Sequence, residues 1–268
     1  MTMPRKRPEG VAWVTGASSG IGAAVALELA RRGWTVAATA RRLDRLEALA
    51  LGAAGLPGRI VAHAGDVSDA AAMAAIVDVI ESVHGPIALA FLNAGLAPRS
   101  GPGLIDVAAF EQAFAVNLMG IVCGAAAVAE RMAARGEGRI AVNASLAGSR
   151  GLPGAAAYGA SKAAAIHLCE ALKFDCDRLG IRLQLVNPGF VDTPMTQANR
   201  FPMPFLLPLD EAASRIVDGF ARDRFEITFP RRLAWLVKAM RLLPYPVYFW
   251  AVRRMAGGHR GGRREEAA

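Results

Sequence analysis

Residues 11–33 read VAWVTGASSGIGAAVALELARRG. A short apolar run, 11–15, has the character of a buried parallel strand. The turn Gly16-Ala17-Ser18-Ser19-Gly20-Ile21-Gly22 follows at once, and then apolar positions recur at helical spacing until Gly33 stops them. Strand, glycine turn and helix in this order make a phosphate site: small residues let the backbone approach a pyrophosphate, and the helix N-terminus offers unpaired N–H groups at a positive dipole end. The spacing is G-x3-G-x-G, so the usual G-x-G-x-x-G rule transfers in its physics and not in its letter.

Outward from that turn, the chain alternates. Residues 35–40 (TVAATA) read as a second strand ending in Arg41-Arg42. An acidic residue at this tip would suit a ribose 2′-hydroxyl, whereas arginine suits a 2′-phosphate, so the tip points to NADP over NAD. Helix is expected over 43–51, a strand over 59–64 closed by Gly65-Asp66-Val67, and an alanine-rich helix over 69–83 capped by Ser68 or Asp69. A very apolar strand, 87–92, ends in Asn93-Ala94-Gly95; a long helical stretch, 107–135, carries Asn117 among apolar neighbours; and 139–143 is the strand that delivers Ser145. Further strands are expected at 181–186, ending in Asn187-Pro188-Gly189, and at 225–229, with a helix at 210–221 between them. Strands alternating with helices imply a doubly wound α/β fold with a parallel sheet, whose ligands bind at the carboxyl ends of the strands. The glycine turn, Arg41, Asp66, Asn93 and Ser145 all fall at such ends.

Residues 145–162 read SLAGSRGLPGAAAYGASK. Tyr158 and Lys162 stand one helical turn apart, so a phenol and an ammonium share a face and are able to do proton chemistry. The segment 194–208, rich in Pro, Met and Phe, reads as a long irregular lid at the ligand edge.

At 268 residues, with 53% hydrophobic and 20% charged residues, one folded domain is the expectation. No signal peptide is expected from the basic start MTMPRKRPEG, and Cys123, Cys169 and Cys176 have neither zinc nor disulfide spacing, which reads as buried, reduced thiols of a cytoplasmic protein. The four histidines are scattered without metal-ligand spacing, so no metal is expected. The net charge of +8 sits at the two ends, in the first residues and in 231–264.

These motifs, in this order, resemble the short-chain dehydrogenase/reductase family over 11–230. Thr15-Gly16-x3-Gly20-x-Gly22 is similar to its cofactor turn, and Asn93-Ala94-Gly95 to its central sheet motif, with Leu92 where many members carry a second asparagine. Ser145, Tyr158 and Lys162 match the catalytic triad, and Asn117 the fourth catalytic residue. The resemblance implies a single-domain, Rossmann-type fold. It implies cofactor contacts from Gly16, Ser18, Ser19, Gly20, Ile21, Gly22, Arg41, Arg42, Asp66, Val67, Asn93, Ala94 and Gly95. Tyr158, Lys162, Pro188, Gly189, Val191 and Thr193 complete that set on the nicotinamide side. In the implied carbonyl–alcohol interconversion Tyr158 is the general acid/base, Lys162 lowers its pKa and holds the nicotinamide ribose, and Ser145 orients the substrate oxygen. Asn117 would hold a structural or relay water. A homodimer or homotetramer is implied too. The apolar lid points to a small hydrophobic carbonyl or alcohol. The rival reading is a catalytically silent cofactor-binding regulatory or scaffold protein; the larger epimerases and dehydratases with Tyr-x3-Lys differ in glycine spacing and need a bigger substrate domain.

The chain thus divides into a basic segment (1–10), a catalytic domain (11–230) and an amphipathic, arginine-rich extension (231–268). In the extension Leu233, Leu236, Val237, Met240 and Leu243 form a helical stripe, and Pro244-Tyr245-Pro246 breaks it. Lys238, Arg241 and the prolines argue against a spanning helix. The stripe reads as a cover for the substrate pocket or a subunit contact; the alternative is peripheral membrane contact through 231–255. Nucleic-acid binding is not expected, because no accompanying motif is present.

Overall fold

A computed structural model describes residues 10–98, 105–197 and 203–257. The basic start (1–9), residues 198–202 of the expected lid and the arginine-containing tail after 257 lie outside the described residues. Seven parallel strands form one sheet in the order β3-β2-β1-β4-β5-β6-β7. They are β1 (Val11–Thr15), β2 (Thr35–Ala40), β3 (Arg59–Ala64), β4 (Ile87–Leu92), β5 (Gly138–Asn143), β6 (Ile181–Pro188) and β7 (Glu226–Phe229). Between them run α1 (Gly20–Arg31), α2 (Leu43–Gly52), α3 (Ala70–His84), α4 (Val107–Phe114), α5 (Gly120–Arg135), α6 (Ala156–Arg178), the short α7 (Pro194–Gln197) and α8 (Leu209–Phe220). Then α9 (Arg231–Arg241) and α10 (Tyr245–Gly257) follow β7.

The two-residue period of a strand explains the layering. In β1, Ala12 and Val14 join one core with Val25, Leu29, Phe91, Ile216 and Phe220, whereas Val11 and Trp13 join another with Met73, Val77, Ile80, Met132 and Ile166. The sheet is therefore buried on both faces, which is why its strands read as apolar runs and not as an alternation. The strand order reverses between β1 and β4, and the loops leaving those two strands diverge to opposite faces; such a switch point leaves a crevice at the carboxyl edge.

Most expected elements are present, with instructive differences. Of the two candidate caps for α3, Asp69 does the capping, its carboxylate accepting from Ala72 N at 3.0 Å. The 107–135 stretch is helical throughout but passes through a π-helical turn at Ala115–Met119, which contains Asn117. By length and hydropathy it is the one helix among the described residues apolar enough to cross a bilayer; here α5 packs on α3, β4 and β5 as a core helix. β6 runs on through Asn187 and Pro188, because both pair with β7 and Pro188 sits at a strand end where no amide donor is needed. The lid is not irregular from its start: 194–197 form α7, and Leu207 returns to bridge Val191. All three cysteines are buried and unpaired.

One buried polar side chain holds the last crossover in place. Gln184 in β6 is fully buried; its Nε2 donates to the carbonyls of Gly219, Arg222 and Arg224 at 3.2, 3.0 and 2.9 Å, and its Oε1 accepts from Arg139 at 3.0 Å. Gln184→Leu keeps the volume but orphans these carbonyls. We expect a loss of about 2–4 kcal/mol in chemical denaturation; a change within error would show that the α8–β7 connection is held by packing alone.

Candidate active site

The turn after β1 packs so closely that side chains are excluded. A Cβ on Gly22 would lie 2.4 Å from Gly16 O and 2.5 Å from Asn93 Nδ2. Ser19, the N-cap of α1, makes no side-chain cap, and the first turn of α1 has no acidic residue. Its leading N–H groups therefore face the crevice with no side-chain acceptor capping them, as an anion site requires.

The sequence-predicted residues come together from the carboxyl ends of six strands. Gly16, Ser18, Ser19, Gly20 and Ile21 follow β1, Arg41 and Arg42 follow β2, Asp66 and Val67 follow β3, and Asn93, Ala94 and Gly95 follow β4. Ser145 follows β5, Tyr158 and Lys162 stand on α6, and Pro188, Gly189, Val191 and Thr193 lie at or after the end of β6. All of these line one cleft. Two predicted residues do not. Gly22 lies under the turn, and Asn117 lies behind the cleft wall.

Arg41 and Arg42 are both exposed at the cleft's far end, where Arg42 Nη2 donates to Ser18 Oγ at 3.0 Å. Asp66 is committed to its own loop, accepting from Ser68 N at 3.0 Å and Ser68 Oγ at 2.7 Å. Those bonds, aided by the charge of Arg41, hold its carboxyl below the usual aspartate range.

At the near end a ladder of neutral amides crosses the strand ends. Thr15 Oγ1 accepts from Asn93 N at 3.0 Å, and Asn93 Nδ2 donates to Thr15 O at 3.1 Å. Asn143 Nδ2 donates to Asn93 Oδ1 at 2.9 Å, and the Asn143 carbonyl accepts from Lys162 Nζ at 2.7 Å. Asn143 was not predicted, and Thr15 only as the first residue of the cofactor turn; an asparagine ending each of two adjacent core strands was the available signal. Lys162 is 2% exposed and has no carboxylate partner among the described residues, so burial pushes its pKa down to about 8. It remains mostly protonated at neutral pH.

Tyr158 departs from expectation. Lys162 Nζ lies 5.9 Å from the Tyr158 ring centroid, yet the phenol's pKa is raised, because desolvation of the phenolate outweighs the help of the neighbouring Ser145 hydroxyl. In the protein without ligand, Tyr158 is a firmly protonated acid. Ser145 Oγ caps a short turn (Leu146–Gly148) by accepting from Ala147 N at 3.1 Å, which leaves its own O–H free to donate. That turn lies flat on α6: a Cβ on Gly148 would come within 2.6 Å of the Lys162 carbonyl carbon.

Asn117 is closed off from the cleft. Its Oδ1 accepts from Leu96 N at 2.8 Å, and its Nδ2 donates to Leu96 O and Ser161 Oγ, both at 2.9 Å. Ser161 Oγ donates in turn to the Tyr158 carbonyl at 2.7 Å. In this structure Asn117 ties the loop after β4 to the turn of α6 that carries Tyr158. Both of its amide N–H groups go to protein, so it positions these two segments, and one lone pair of Oδ1 remains for a further donor. The π-helical turn supplies the wider spacing that aims this one amide at two segments.

The extension forms the wall beside Ser145. Leu233 and Ala234 of α9 pack on Leu146 and Phe190. Arg150 donates to the carbonyls of Met240, Arg241 and Leu243 at 2.7, 2.6 and 3.0 Å, capping α9, and its guanidinium stacks 4.1 Å from the Tyr248 ring centroid. Tyr248 Oη donates back to the Gly151 carbonyl. The expected stripe is thus corrected in one place: Leu236 is exposed, and the buried side of α9 is centred on Leu233 and Ala234. At about 100° per residue Leu236 lies about 60° from Leu233 but about 160° from Ala234, so a buried side running through Leu233, Ala234 and Val237 leaves it at the exposed edge.

This donor set fits a nicotinamide dinucleotide. Uncapped N–H groups and two arginines would suit phosphate, a buried ammonium would suit ribose hydroxyls, and the glycines at 16 and 95 keep the floor low. Comparison with known proteins agrees. The sequence model described as short chain dehydrogenase matches residues 10–202. The chain is 36% identical over 244 residues to an uncharacterized oxidoreductase of Myxococcus xanthus, covering 91% of this chain and 96% of that one. It is similar in structure to a short-chain dehydrogenase from Sphingobium yanoikuyae in complex with NADPH, with TM-score 0.74, 28% identity, and coverage of 97% and 98% of the two chains. It is also similar to a short chain dehydrogenase/reductase from Burkholderia phymatum in complex with NAD, with TM-score 0.78, 26% identity, and coverage of 87% and 92%.

The buried ammonium makes a stability prediction. The folded pKa of Lys162, about 8, lies below its ordinary 10.5, so between those values the unfolded chain binds the extra proton and stability rises with pH. Below about 8 both forms are charged, and the burial cost is constant. Lys162→Met should therefore stabilise the ligand-free protein at pH 7 by about 1–3 kcal/mol, a gain that shrinks as pH rises towards 10. Parallel pH profiles for the two proteins would overturn this account.

Proposed function

We propose a function from one premise: the chain belongs to the short-chain dehydrogenase family and is an NAD(P)-dependent oxidoreductase of CH–OH and C=O groups. In our reading it prefers NADP(H), reduces a small hydrophobic carbonyl, and uses Tyr158 as its proton donor. The observation that carries this reading is the trio of Ser145, Tyr158 and Lys162 opening on one cleft with two exposed arginines at its other end.

A nicotinamide bound in the cleft supplies or accepts the hydride. The protein's part is the proton. A substrate oxygen placed between Ser145 and Tyr158 receives a hydrogen bond from the free Ser145 O–H, and as negative charge grows on it the Tyr158 O–H transfers its proton. The phenol's raised pKa keeps it in the acid form that reduction needs. The phenolate left behind is stabilised by the field of the Lys162 ammonium, which Asn143 holds in place. Arg41 and Arg42 are the groups that would meet a 2′-phosphate, since no acidic residue competes at the tip of β2. Leu96, Val116, Val191 and Met195 line the cleft and give it its apolar character. The intact trio weighs against a silent scaffold, because a regulatory protein has no use for a lysine kept charged at this burial cost.

Two measurements decide these points. Oxidation of NADPH with a panel of aliphatic, aromatic and long-chain carbonyls should be detectable with the native protein and fall at least about 10³-fold in Tyr158→Phe, with NADPH binding by fluorescence retained; comparable turnover would remove Tyr158 from the role of acid. Arg41→Ala should raise the Kd for NADPH by about tenfold or more and that for NADH by less than about twofold; equal losses would mean that Arg41 does not read the phosphate.

A further inference from the structure

The extension has an inner side that the fold uses and an outer side that it leaves bare. Trp235 of α9 is 74% exposed and Leu242, just past its end, 87%; with Arg232 and Leu236 they recur at the spacing of one helical face. On α10, Pro246, Phe249, Trp250, Arg253 and Arg254 stand at i, i+3, i+4, i+7 and i+8 and together line one shallow groove, with the Arg254 guanidinium 5.1 Å from the Trp250 ring centroid. Single exposed apolar residues are ordinary, whereas a phenylalanine, an indole and two arginines grouped on one face of α10, with a second exposed apolar face on α9, mark an interaction surface.

The charge says what that surface meets. From Arg231 to Arg254 the sequence has six basic residues (Arg231, Arg232, Lys238, Arg241, Arg253 and Arg254) and no aspartate or glutamate. Lys238 is engaged by Glu226, and among the described residues none of the other five has an acidic partner. A second copy of this chain meeting the patch across a twofold axis would set these arginines against themselves. An anionic bilayer matches both properties: arginines reach phosphate headgroups, and tryptophans settle at the boundary between headgroup and acyl chain. The segment is also rigidly placed, because Arg150 and Tyr248 fasten the α9–α10 junction to the loop that follows Ser145.

We propose that the outer face of α9 and α10 docks the protein on anionic membrane surfaces, lying in the interface without spanning it.

Flotation of the full-length protein with vesicles tests this. It should rise with phosphatidylcholine vesicles containing phosphatidylglycerol, remain behind with phosphatidylcholine alone, and release at high salt. Trp235→Ser, Phe249→Ser and Trp250→Ser combined should lower the partition coefficient at least about tenfold, and Arg253→Gln with Arg254→Gln about 30-fold. Unfolding temperature and mass by light scattering accompany each variant; the arginine pair, both exposed, serves if the aromatic variant fails to fold. Absence of flotation, equal binding to neutral vesicles, or wild-type binding by either folded variant would overturn the proposal. So would a fall to a smaller oligomer in the aromatic variant, which would identify the patch as a subunit contact.

Discussion

An ammonium group buried with a single carbonyl partner is the constraint on which this site depends. A charge in that position is costly, and its pKa falls accordingly to about 8. The protein answers without a carboxylate. A neutral ladder from Thr15 through Asn93 to Asn143 orients the carbonyl that accepts from Lys162. A carboxylate there would quench the charge that the phenolate of Tyr158 needs. An unbraced carbonyl would let the long lysine side chain swing away.

The parallel sheet makes that ladder possible. Because β1, β4 and β5 are neighbours running the same way, Thr15, Asn93 and Asn143 finish at the same edge of the sheet. The same order opens the crevice between the loops of β1 and β4, so the phosphate end and the proton-transfer end of one cleft are built from adjacent strands. Asn117 extends the bracing to the third dimension by tying Leu96 to the turn of α6 that carries Tyr158. Preorganised in this way, the donors need little reorganisation as charge develops on a substrate oxygen.

The last two helices have two unlike sides. Their inner side packs on Leu146 and Phe190 through Leu233 and Ala234, and Arg150 joins their junction to the loop after Ser145. Their outer side is aromatic and basic.

Much of this was legible in the chain itself. Apolar runs punctuated by glycines at regular intervals predict a parallel α/β sheet, and strand ends predict where Gly16, Arg41, Asp66, Asn93, Ser145 and Pro188 gather, because strand direction is fixed by alternation with helices. Residues whose roles depend on partners distant in sequence were not legible. Nothing local marks Asn143 as the anchor of Lys162, Ser161 as the link between Asn117 and Tyr158, or Arg150 as the cap of α9. The sense of the Tyr158 shift was also hidden: one-turn spacing places a cation near the phenol, but only packing decides that desolvation wins. The sequence alone therefore determined which chemical groups reach the sheet edge, since period and order are properties of the chain. Which of them are buried, charged and braced was decided by tertiary structure, since solvation and long-range hydrogen bonds exist only once the helices have closed over the strands.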